Sequence, residues 1–154
     1  MAAFNKFNCF VEDMAEKVHN LGADTLMLLL TNTAPNAADV RVDTVETPCL
    51  VEATSNAVEL AAGNGYLKTG AAITITASAQ AAGTYTLIGN DVVWTATGAV
   101  GPFRYVVLYN ITAGAAAARP VIGWWDYGVG GVTLANGETF TVDLHPVNGI
   151  LQLV

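Results

Sequence analysis

Charge is what this sequence has least of. Asp, Glu, Lys and Arg make up 12% of its 154 residues, about half the share usual in a soluble domain. A lone protomer then has few ions to keep its surface wet, and the shortage implies surface covered by partners, as in the charge-depleted centres of interfaces. A bland exterior of Ala, Thr and Gly is the competing account. Basic residues are scarcer still: the six Lys and Arg are scattered from Lys6 to Arg119 and the formal net charge is −7. Phosphate binding needs clustered cations, so no nucleic-acid contact is expected.

Long apolar runs are also missing. The longest strongly apolar block, Leu26 to Leu30, is strand-sized, far short of the ~20 residues of a membrane-spanning helix, and no membrane association is expected. MAAFNKFNCF lacks a basic segment, an apolar stretch and a small-residue cleavage site in succession, so synthesis in a cytoplasm is the expectation. Cysteine is limited to Cys9 and Cys49, with neither CxxC spacing nor a nearby His. They read as buried free thiols, not as a zinc site or a disulfide framework. No cofactor and no metal is expected.

What is abundant is hydrophobic residues, at 53%, in short blocks bounded by Gly, Pro and Asn. A chain of this length can bury roughly 70% of its unfolded surface in one domain, and residues 1–154 read as one β-rich unit. Two stretches organise it: Gly101 to Asn110, GPFRYVVLYN, and Val121 to Tyr127, VIGWWDY. Their β-branched and aromatic content predicts central strands. Alternation puts Phe103, Tyr105, Val107 and Tyr109 on one face and Arg104, Val106 and Leu108 on the other, so the first strand should be covered on both sides.

Asp24 to Thr31 predicts another strand buried on both faces, and Val40 to Glu46 at best an edge strand because of Pro48. One or two short strands are expected around Thr54 to Asn56, and a turn at GNGY, 63–66. A hairpin reversed by Gly89, Asn90 and Asp91 should follow, then an Ala-rich mobile connector at 113–118. Asn136-Gly137 should join Val132–Leu134 to Thr139–Leu144, ahead of a last strand at Ile150–Val154. One helix is expected over Asn8 to Leu21, with Val11, Met14, Ala15, Val18 and Leu21 as its apolar stripe, Asn8 as its cap and Gly22 as its stop. Eight to ten strands and one helix make the fold mainly β: an antiparallel β-sandwich or jelly-roll-like domain with one N-terminal amphipathic α-helix.

Few residues suggest chemistry. Asp126 and Asp143 interrupt apolar strands and would pair as acid and base of a hydrolase if those strands were neighbours. The stronger account is that one of them neutralises Arg104, since an unpaired buried guanidinium is very costly. Trp124 and Trp125 are adjacent, so one points to each face of a strand. Either both are buried, by the helix and the opposing sheet, or one meets solvent, a glycan or another subunit. His19 has only Glu16 at helical spacing, too little for a metal site. His145 lies in a Pro- and Gly-bounded turn and should only hydrogen-bond there. Asn110-Ile111-Thr112 matches the glycosylation pattern by chance.

The segments FNKFNCFVEDMAEKVHNLGADTLMLLLTNTAP, GNGY, GPFRYVVLYN, IGWWDYG and LANGETFTVDL resemble small virion structural proteins of tailed bacteriophages, of the type that decorates or cements the head. The resemblance covers most of the chain, and its motifs are turns and strands, not catalytic signatures. It implies a β-sandwich or jelly-roll module in the virion, assembled in the host cytoplasm, often trimeric and bound to the major capsid protein so as to bridge neighbouring capsomers. Phe4, Phe7, Trp124 and Trp125 are then interface candidates, with residues 1–7 as an N-terminal arm. The alternatives are a tail or fibre domain that binds host glycans and, more remotely, the Asp126/Asp143 hydrolase. The Ala-rich loop at 113–118 and GVGGV at 128–132 depart from the family pattern.

Overall fold

The computed structural model describes residues 2–45, 49–51 and 55–154. Glu46, Pro48 and Thr54, on which parts of the expectations for 40–48 and 54–56 rest, lie outside them. In chain order the strands are β1 (Phe4–Lys6), β2 (Leu26–Thr31), β3 (Arg41–Val42), β4 (Leu50–Val51), β5 (Ala71–Ala72), β6 (Ile75–Ala81), β7 (Thr84–Gly89), β8 (Val92–Thr95), β9 (Val100–Phe103), β10 (Tyr105–Asn110), β11 (Arg119–Asp126), β12 (Val132–Leu134), β13 (Thr139–Val142) and β14 (Leu151–Leu153). The one helix among the described residues, α1 (Cys9–Ala15), follows β1. The fold is mainly β and the paired strands run antiparallel. No helix among the described residues is long and apolar enough to cross a membrane.

A seven-stranded sheet in the order β4-β3-β11-β10-β2-β5, with β1 also on β11, forms the centre. Every residue of β2 and β10 is buried, as their unbroken apolar runs predict. Alternation in register divides their side chains between two cores. Leu30, Val106 and Trp125 align across one face, and Leu29, Val107 and Trp124 across the other. The first face packs against Leu87, Val92, Trp94, Leu134, Phe140, Val142 and Leu151 from three smaller sheets. The second is closed by Phe7, Val42, Cys49, Leu50 and Ala57. Full burial of each such side chain is worth about 1.5–3 kcal/mol, so the sheet is held from both sides in a sandwich-like arrangement.

GPFRYVVLYN is two strands, not one. β9 pairs with β12, whereas β10 pairs with β2 and β11. Arg104 stands at the change of sheet, so Phe103 joins Val106 and Leu108 in the first core instead of sharing a face with Val107 and Tyr109.

Two expected hairpins are replaced by other pairings. β7 pairs with β6 and β14, while β8 pairs with β13. Gly89 therefore carries the chain from one sheet to the next, and a Cβ there would lie 2.6 Å from Ile73 Cγ2. The real reversal is at Ala82-Gly83, both left-handed with φ of 49° and 89°, as a two-residue hairpin of primed type requires. Ala is an uncommon choice there, so composition does not signal the turn. Likewise Asn136-Gly137 does not pair β12 with β13: Gly137 N–H donates to Ala96 O at 2.7 Å, and the turn hands the chain across to β8.

The helix is shorter than its periodicity predicts. Phe10 is its buried anchor, while Val11, expected on the apolar stripe, is 55% exposed. Asn8 is helical and makes no side-chain cap. Lys17 adopts φ 62°, and the bonds from Val18 N–H to Asp13 O (2.8 Å) and Lys17 N–H to Met14 O (3.4 Å) form a Schellman ending in which Lys takes the place of Gly. Gly22 serves closeness instead: a Cβ there would lie 2.6 Å from Ser78 Oγ.

The Ala-rich loop is tethered. Thr44 donates to Ala116 O from its amide at 2.9 Å and from its hydroxyl at 2.7 Å, and Arg119 Nη1 donates to Gly114 O at 2.6 Å.

Candidate functional site

Arg104 and Asp126 form the ion pair the sequence suggests. Nε and Nη2 of Arg104 donate to the two oxygens of Asp126 at 2.7 and 2.6 Å, a bidentate fork. The pair is not buried, however: the side chains are 30% and 35% exposed, because Arg104 sits where the strand changes sheets. The guanidinium, with help from the Gly128 N–H, holds the Asp126 carboxyl down at about 2, so Asp126 is ionised and unsuited to act as an acid near neutrality. Asp143 is exposed and accepts from the His145 N–H at 3.0 Å. β11, which carries Asp126, is hydrogen-bonded to β10, β3 and β1, while Asp143 follows β13, which is paired with β8. The neighbouring strands that a hydrolytic pair of Asp126 and Asp143 called for are therefore not formed.

The two tryptophans are covered from within the chain by the very residues expected to form an arm. β1 pairs with β11 in the register Phe4↔Trp125, Asn5↔Trp124. The Phe4 ring lies 5.0 Å from Trp125, centroid to centroid, and Phe7 lies 4.6 Å from Trp124 on the opposite face. Phe7 is fully buried and Trp125 is 7% exposed, while Trp124 and Phe4 are half-buried. Residues 4–7 are thus a strand and a core plug of their own domain, which corrects the reading of 1–7 as an arm. Gly123 permits this, since a Cβ there would meet the Phe4 ring at 2.2 Å. A glycan platform needs a bare indole face among polar groups, and here an aromatic ring packs against each indole.

His19 belongs to a polar cluster in the wall between helix and sheet. Asn110 Nδ2 donates to His19 Nδ1 at 3.1 Å and to Asp24 Oδ2 at 2.6 Å, while Asn110 Oδ1 accepts from the Thr112 and Ala113 amides. Nδ1 is therefore the acceptor, and the ring proton sits on Nε2, 3.7 Å from Asp13 Oδ2. Burial lowers the His19 pKa to about 4 against the opposing pull of Asp24, so the ring is neutral at pH 7. A cavity of about 240 Å³ beside it is lined by His19, Gly22, Ser78, Tyr85 and Leu153 among others. Ser78 Oγ and Tyr85 Oη lie 2.8 Å apart and bond to each other. A His pinned by an amide and held neutral so far below pH 7 is a structural link and a poor base. Asn110, with no exposed surface, is closed to glycosylation as it stands.

No family model matches this chain, and neither a curated protein nor a solved structure matches it.

Among the described residues no group of three or more His, Cys, Asp and Glu could hold a metal. Both thiols are free; Cys49 is buried and Cys9 half-buried, and burial raises their pKa values to about 12 and about 11. They are protonated and weakly nucleophilic at neutral pH. His145 behaves as its turn suggests, its Nδ1 accepting from the Val147 and Asn148 amides.

The polar centre that sequence reasoning missed is Tyr66. Its hydroxyl, 1% exposed as a residue, donates to Glu59 Oε1 at 2.8 Å and accepts from Leu30 N–H at 3.0 Å. It closes the edge of β2 beyond the reach of β5. The signal was an Asn64-Gly65 turn, with φ of 52° and 94°, placed immediately before an aromatic.

Proposed function

We propose that this chain is a non-enzymatic structural protein of a tailed-bacteriophage virion, a decoration or cement protein that binds the major capsid protein as a homo-oligomer, with a trimer favoured, and bridges neighbouring capsomers. The observation that carries the reading is how the chain uses its reactive-looking groups. Asp126 is clamped by Arg104, His19 is buried and neutral, and Trp124 and Trp125 each pack against an N-terminal phenylalanine. What faces outward is short of charge and carries apolar side chains on turns, such as Val129 at 94% exposure, Val147 at 71% and Leu67 at 72%.

Single exposed apolar residues are ordinary on any protein. Repeated over many copies on a lattice they become useful, because weak contacts made at several points add through effective concentration. The resemblance of GPFRYVVLYN, IGWWDYG and LANGETFTVDL to phage decoration proteins points the same way. The inward-turned N terminus moves the proposed contact surface from Phe4, Phe7 and the tryptophans to the turn tips.

The test is to mix purified protein with undecorated heads, pellet them and reconstruct the particles. Regular density on the outer face of the lattice, with heads that survive a higher temperature, is the expected outcome. Protein that stays in the supernatant, or that appears in a handful of copies at the tail, overturns the assignment.

A further inference from the structure

Strand β6 is the longest strand with a single partner among the described residues: it pairs with β7 and its other edge is free. Natural sheets guard such edges with Lys, Pro, inward charges or covering loops. Here residues 69–90, which include all of β6 and β7, contain no charged residue, no His and no Pro. Ser78 to Ala81 are all exposed. In a chain of net charge −7, this edge is where two copies meet without setting like charges against each other.

The register specifies how they would meet. Ala82-Gly83 is a two-residue reversal, so Ala81 and Thr84 exchange bonds across the hairpin, as do Ala79 and Thr86 two residues on. The main-chain groups of Ser78 and Gln80 then point to the open edge. The bulge between Ile75 and Ala77 confines the regular edge to Ala77–Ala81. We propose that this edge pairs with the same edge of a second copy, antiparallel about a two-fold axis at Ala79. Ser78 of each copy then lies opposite Gln80 of the other, where both N–H···O bonds form. Ala79 opposes Ala79, and Ala77 opposes Ala81, at the close, non-hydrogen-bonded positions where side chains crowd most. Alternate alanines are what that crowding permits, and an isologous contact demands such self-complementarity.

Five residues a side bury less than the ~1,200 Å² of a stable interface. The contact is therefore weak between free molecules and strengthened where many copies are held close. It does not depend on the capsid assignment: failure of either leaves the other standing.

Cross-linking decides it, because a disulfide captures a weak contact. Ala79→Cys sets two thiols across the axis at a separation a disulfide spans, while Val93→Cys, on an exposed strand position of another sheet, reports random collision. Under mild oxidation at equal concentration, A79C is expected to form disulfide-linked dimers at least tenfold faster than V93C. Adding Gln80→Pro, which removes an outward N–H and leaves the β7 ladder intact, should abolish that advantage with an unchanged melting temperature. Dimerisation of A79C no faster than that of V93C overturns the proposal, and this comparison stands even if the proline variant proves unstable.

Discussion

Phe7 lies against Trp124, ring centroids 4.6 Å apart and planes inclined by 47°, and so closes the second core with a residue from the start of the chain. Truncating it to Ala removes a fully buried ring from a site that Val107, Val121 and Leu50 also line. The cost should be about 3–5 kcal/mol, read from urea unfolding, with Trp124 emission shifted to the red in the folded variant. A loss under 1 kcal/mol would mean that residues 4–7 detach freely and that the arm reading should return.

Tyr66→Phe keeps the ring and deletes the hydroxyl. Leu30 N–H and the Glu59 carboxyl each lose a partner inside the fold, and a buried unsatisfied group costs about 1–3 kcal/mol. Equilibrium unfolding should show that loss, and hydrogen exchange should show faster exchange at Leu30. Unaltered protection there counts against the edge-closing role.

Lys17→Gly should stabilise. The residue holds a left-handed φ of 62° at the end of α1, which a side chain opposes by about 1 kcal/mol and glycine does not. A melting temperature below that of the wild type would show that the Lys17 side chain does something beyond ending the helix.

Acid should weaken the fold through His19. Its folded pKa, about 4, lies below the unfolded value near 6.5, so the unfolded chain binds the proton more tightly. The stability contributed by the neutral ring is fully present above about pH 6.5 and is lost as pH falls towards 4, on the order of 3 kcal/mol in all. The difference between wild type and His19→Gln isolates this group from the carboxyls. That difference should change between pH 6.5 and 4 and be flat above pH 7; a flat difference throughout would remove His19 from the account.

Much of this was legible in the residues. Strands β2, β10 and β11 announce themselves because burial on both faces demands unbroken apolar runs; a carboxylate partner for Arg104 was foreseen too, but on the ground of a burial that the Arg104–Asp126 pair does not have. Which strand lies beside which was not legible. The reversal at Ala82-Gly83 uses an alanine in a conformation glycine or asparagine would advertise, and the dipeptides that do advertise turns, at Asn90-Asp91 and Asn136-Gly137, carry the chain between sheets. The helix was over-extended because the spacing of Val11, Met14, Val18 and Leu21 fits a helical stripe whether or not the backbone continues past Ala15. The site residues divided likewise: the Arg104 partner follows from electrostatics, whereas the placing of Phe4 and Phe7 depends on Gly123 leaving room for a ring, a fact of three dimensions.

The pairing of Phe4 with Trp125 has a cost in time. As the polypeptide leaves the ribosome, its first strand has no complementary edge until Trp125 has emerged, and β2, which meets only the two residues of β5 earlier, waits for β10 to be paired along its whole length. Contacts so distant along the chain slow folding. Nascent chains should therefore remain protease-sensitive until β11 is released, and become fully resistant only once β13 and β14 have followed to close the first core.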